Sequence, residues 1–125
     1  MPDLSPRARA KSFADAARGL GLLVAEQANA RIHLAATLAA LGLGLWLGLD
    51  APAWRWIVLA IALVWVAEAM NTALEALADT LHPARDARIG RAKDLAAGGV
   101  LVAALAAAVI GLLVLGPPLL DRLGA

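Results

Sequence analysis

An all-α integral membrane protein, with an amphipathic surface helix ahead of three membrane-spanning helices, is the fold class predicted by this 125-residue chain. Composition is the first reason: 62% of the residues are apolar and 17% charged, well away from the balance of a soluble domain. The second is that uncharged runs long enough to cross a bilayer recur along the chain. The third is that the basic residues gather at one end of those runs. The chain is too short for two ordinary domains, so one unit over residues 1–125 is expected. With no cysteine, disulfides, zinc ribbons and thiolate chemistry are excluded. A net charge of +1 gives no reason to expect a nucleic-acid partner. No short apolar segment leads to a small-residue cleavage site, so no secretory signal peptide is expected.

Residues 4–28 interleave Arg7, Arg9, Lys11, Asp15, Arg18 and Glu26 with Phe13, Leu20, Leu22, Leu23 and Val24. This pattern predicts a helix lying on the membrane, apolar side down and cations towards lipid phosphates. Residues 1 to about 6 read as a disordered tail. The first span, residues 32–49, carries no charge and has His33 and Trp46 near its ends. Asp50-Ala51-Pro52-Ala53 is expected to break the chain there, because proline forbids helix continuation. A second helix over 54–80 would be about 39 Å long and outreach the ~30 Å hydrocarbon core, so its last turns emerge at the interface. His82-Pro83 ends it. The third span, 91–120, is uncharged from Leu95 to its end and is expected to close at Gly116-Pro117-Pro118.

Topology follows from the cations. Arg7, Arg9, Lys11, Arg18 and Arg31 precede the first span, and Arg85, Arg88, Arg91 and Lys93 join the second to the third; against these nine stand Arg55 and Arg122. The bias places the N-terminus and the second connection in the cytoplasm.

Glu68, Asn71, Glu75 and Asp79 then become the residues of interest. They project at about 0°, 300°, 340° and 20° around the second helix, one polar arc on an otherwise apolar surface. A single buried carboxylate is commonly a polar rung between helices, but four such groups on one arc favour a metal or phosphate site. Lys93 and Asp94, read at the start of the third helix beside free N–H groups, would add phosphate contacts. Mg²⁺ suits this set, since it takes one or two carboxylates together with substrate phosphates. No G-x-x-x-x-G-K-[ST] loop and no H-R-D loop is present, which excludes the soluble kinase folds. Gly42, Gly44, Gly48, Gly98 and Gly99 read as close helix packing. His33 and His82 read as edge anchors or caps, and the four tryptophans as belt and packing residues.

Glu68-Ala-Met-Asn71-Thr-Ala-Leu-Glu75-Ala-Leu-Ala-Asp79 followed by Ala92-Lys93-Asp94 resembles the signature of the small bacterial membrane lipid kinases, the diacylglycerol kinase and undecaprenol kinase family. Lys11-Ser-Phe13, Gly19 and Asn29-Ala-Arg31-Ile-His33 extend the likeness over nearly the whole chain. The resemblance implies a homotrimer in the cytoplasmic (inner) membrane with active sites shared between subunits. It implies transfer of the γ-phosphate of MgATP to a lipid alcohol. Glu68 would be the general base and Asn71 would orient that base or the phosphates; Glu75 would bind Mg²⁺; Lys93 and Asp94 would hold the phosphates. Asp79, Ala84, Arg85 and Asp86 would lie on the nucleotide side, and Asn29, Arg31 and Ala97 on the lipid side. Gln27 stands where the family usually has a second metal-binding glutamate, with Glu26 just before it, and Asp15 replaces an aromatic on the nucleotide side. Ala97 and Asn29-Ala-Arg31-Ile-His33 look more like the undecaprenol branch, with diacylglycerol as the alternative substrate. A catalytically weak scaffold or an ion-coupled transporter are readings of other classes; clustering of the stripe at one membrane face argues against the transporter.

Overall fold

The computed structural model describes residues 4–125 as four helices: α1 (Pro6–Glu26), α2 (Ala28–Leu47), α3 (Ala51–Leu81) and α4 (Ala87–Leu123). The last three are long and apolar enough to cross a membrane, as the uncharged runs predict. Of the tail expected over residues 1–6, residues 1–3 lie outside the described part. Residues 5 and 6 are not tail but helix start: the Ser5 hydroxyl accepts from the amide of Ala8 at 3.2 Å while Pro6 supplies a helix-ready φ.

The boundaries differ from the sequence reading where one residue decides them. α1 stops at Glu26 and α2 starts at Ala28, so Gln27 alone, with φ −104° and ψ 121°, separates the surface helix from the first span. Arg31 secures this corner by donating to the carbonyls of Val24 and Ala25, which α1 leaves unpaired at its end. Pro52 does not break the chain; it initiates α3. Asp50 accepts from the amide of Ala53 at 2.9 Å, and a proline in the first turn loses no intrahelical bond.

At the other end, α4 runs through Pro117 and Pro118 to Leu123 instead of stopping at Gly116. The two prolines leave the carbonyls of Leu113 and Val114 without helical donors. Gly116 has no Cβ to collide with the ring that follows it, and membrane helices tolerate such a loss.

α3 and α4 form the main helix pair, α2 packs across both, and α1 touches α2 and α3. Ala60 on α3 and Ala103 on α4 are both buried, and small side chains of this kind let backbones approach closely. Gly44 is required by contact: a Cβ there would sit 2.8 Å from Cη2 of Trp54. Gly48 instead ends α2 in the left-handed conformation, φ 69°, which corrects its reading as a packing residue. Gly42, Gly98 and Gly99 meet nothing within 4 Å in the single chain. Large apolar side chains such as Leu101, Val102, Leu105, Leu112 and Leu113 are exposed, as expected of a surface whose solvent is lipid.

Candidate functional site

α3 carries its four polar residues as a ladder, and its neighbours treat each rung differently. Among the described residues Glu68 is the only charged side chain that is buried, 1% exposed. Its Oε2 lies 3.6 Å from Nε2 of His33 on α2. Both atoms, with Oδ1 of Asn71 and Oγ1 of Thr72, are enclosed without a hydrogen-bond partner. Buried polar atoms are nearly always paired, so these four mark a stretch of the bundle suited to polar partners; Asn71 lines a recess towards α4 and Thr72 one towards α1.

Glu75 is half-buried and close enough to Lys93 to attract it. One turn further, Lys93 reaches from α4 to Asp79, with Nζ and Oδ1 2.9 Å apart. This pair lies on a cleft of about 440 Å³ lined also by His82, Ala84, Arg85 and Asp86. The cleft brings together five of the residues assigned to the nucleotide side. Asp86 caps α4, accepting from the amide of Arg88 at 2.7 Å and from its guanidinium at 3.1 Å. The Arg88 guanidinium chiefly holds the Asp86 carboxyl below its ordinary value of 3.8.

The helix N-terminus therefore lies at Ala87, not beside Lys93 and Asp94 as the sequence suggested. Its first free amide is already taken by Asp86. Asp94 points away from the cleft lining and is exposed, as are Ala97 and Asn29. Asp15 is exposed on α1 between Lys11 and Arg18, at 3.2 and 3.0 Å. The guanidinium of Arg31 is engaged with α1 carbonyls. Glu26 lines a recess of about 310 Å³ between α1 and α3 beside Thr72, while the Gln27 side chain caps nothing.

Among the described residues no three His, Asp or Glu side chains form a metal cage. Mg²⁺ does not require one, because phosphate oxygens and water fill most of its shell; Glu75, an oxygen donor beside a phosphate-seeking lysine, fits that chemistry. His33 was missed as a site residue. The signal was available: His33 and Thr37 are i,i+4 on α2, Trp65 and Glu68 are i,i+3 on α3, and Trp65 Nε1 donates to Thr37 Oγ1 at 2.9 Å.

Comparison with known proteins follows the same outline. Residues 14–115 match the model of the prokaryotic diacylglycerol kinase family. The chain is 40% identical over 111 residues to a diacylglycerol kinase of Synechocystis, covering 88% of this chain and 63% of that protein. It is 36% identical over 109 residues to the undecaprenol kinase of Bacillus subtilis, covering 87% of this chain and 89% of that one.

Proposed function

Since this chain belongs to the prokaryotic diacylglycerol kinase family, we propose that it is a membrane lipid kinase that moves the γ-phosphate of ATP to the hydroxyl of a lipid alcohol. The observation that carries the reading is the ladder on α3. At one end stands a buried carboxylate with an open acceptor, and at the other a lysine-lined cleft. The two ends are about 16 Å apart along the helix, with Asn71 and Glu75 between them. A triphosphate is shorter than that, so it would lie at the level of Glu75 and Asn71, with Lys93 turning to it from Asp79 and its terminal phosphorus directed up the helix towards Glu68.

In that arrangement Glu68 takes the proton of the lipid hydroxyl, and the oxygen attacks phosphorus in line. The bond to the β,γ-bridging oxygen breaks and ADP leaves. Asn71 orients the base or the phosphate, and Lys93 balances charge on the transferred group. Glu75 would hold Mg²⁺, with Gln27 or Glu26 as the second ligand; the ion would supply charge neutralisation for the bridging and terminal oxygens. Undecaprenol is the acceptor we favour. Ala97 and Asn29-Ala-Arg31-Ile-His33 support that choice, as does the near full-length match to the Bacillus protein.

We further propose a homotrimer in the cytoplasmic membrane, N-terminus inside, with α1 on its inner surface. The cation distribution supports the orientation. A recess of about 350 Å³ beside Asn71, walled by Ala67, Ala96 and Gly99, supports a neighbouring helix at the site. The test is turnover of labelled ATP by the purified protein with undecaprenol, diacylglycerol and other lipid alcohols. Phosphorylation of undecaprenol ahead of the others is expected, and ATP use indifferent to every added lipid would defeat the reading.

A further inference from the structure

We propose that His33 is a positioning residue of the phosphotransfer site, gripping the carboxylate of Glu68 from the neighbouring helix through its Nε2–H. The inference rests on the lipid-kinase reading above and adds to it a residue from α2. The two side chains are 13% and 2% exposed, their facing atoms stand 3.6 Å apart, and neither atom has another partner. A bare imidazole lone pair turned towards a carboxylate oxygen would repel it, so the proton sits on Nε2.

Glu68 has two oxygens. Holding Oε2 against the imidazole leaves Oε1 for the substrate hydroxyl and stops the carboxylate from rotating between them. A base that must find its orientation anew in each turnover forfeits much of the advantage of being there. The contact is backed by a second rung: Trp65 donates to Thr37 one turn away on both helices, at 2.9 Å. That hydrogen bond ties the same two helices one turn away, so the approach of His33 to Glu68 belongs to how α2 meets α3. Glu26, an acid on α1, is exposed at the end of its helix and lines the recess beside Ala69 and Thr72.

The experiment compares wild type, His33→Leu and His33→Gln as full chains in lipid nanodiscs, with rates expressed per folded, assembled protein. His33→Leu fills the space without a donor. It is expected to lower kcat about tenfold or more while KM for ATP stays within about twofold, the pattern of an interaction that acts at the reacting atoms. His33→Gln keeps an amide donor at similar reach and should recover most of the loss. Nitrogen NMR on labelled histidine should find a proton on Nε2 of His33 and show its signal move in Glu68→Gln.

A kcat for His33→Leu within about twofold of wild type overturns the proposal, as does a His33→Gln variant no better than His33→Leu, or an Nε2 that carries no proton. An inactive wild type would instead sink the kinase reading itself. An active wild type indifferent to His33→Leu sinks only this inference.

Discussion

A carboxylate enclosed by apolar helices is kept there at a cost of several kcal/mol unless something answers its charge. Glu68 is answered by one imidazole 3.6 Å from its Oε2 and by no full hydrogen bond at that atom, which suits a base awaiting its substrate. Glu68→Gln keeps the shape and the contact to His33 but removes the base. Turnover should fall about 10²- to 10⁴-fold while insertion and assembly persist; a variant retaining more than about a tenth of the rate, with chemistry limiting, would end that assignment. At the other carboxylates the measurement is a magnesium titration. Glu75→Gln should raise the Mg²⁺ needed for half-maximal rate and Gln27→Glu should lower it. If Glu26 has the role of Gln27, Glu26→Gln should mimic Glu75→Gln and Gln27→Glu should do little. The extended backbone at Gln27 frees that side chain from helical register, which is why the sequence could not choose between these neighbours. The stripe itself was legible because four polar groups on an apolar helix have no ordinary reason to be there. His33 was harder to read, because its matching spacing with Thr37 gains meaning only beside Trp65 and Glu68, the last 35 positions away on another helix.

Helix ends were the least legible elements. Pro52 and Pro117-Pro118 looked alike as stop signals, yet one opens a helix and the others lie inside one. The difference lies in what surrounds them: Asp50 caps the turn that contains Pro52, whereas Gly116 relieves the clash ahead of Pro117. The start of α4 offers a test with a sign. Asp86 titrates below its ordinary 3.8 because Arg88 favours the charged carboxylate. A group lowered in this way stabilises above its unfolded value and loses that contribution as pH falls through the folded one. Exchange of the Arg88 and Ile89 amides, corrected for intrinsic rate, should therefore stay protected from neutral pH down to about 3.8 and give way below it. Asp86→Asn keeps a capping oxygen without a charge and should abolish the pH step. A step that survives in Asp86→Asn would show that the protection comes from elsewhere.

For the whole molecule, the three-span plan was legible because lipid demands it: backbone groups must be paired within each segment, so length and lack of charge suffice. The proposed partner subunits were not legible in the same way. A polar stripe on a lone chain would call for neighbours to keep it from lipid, but Glu68 does not need them, since the chain buries it by itself. Around Asn71 the argument still stands, since a recess opens there between α3 and α4. We expect a trimer by native mass spectrometry in lipid nanodiscs, with activity lost on dilution into monomers. A monodisperse monomer with full turnover would remove the shared-site model.

The ion pair between Lys93 and Asp79 means that the proposed nucleotide cleft is not an open positive socket. At rest the lysine already has an anion, so an arriving phosphate must take it by exchange, and Asp79 is then left in need of a cation. A bare phosphate solves only half of that problem. MgATP brings both replacements in one molecule, an anion for the lysine and a cation near the acid. The resting pair would therefore act as a filter, turning away the abundant small anions of the cell and yielding to the metal-bound nucleotide.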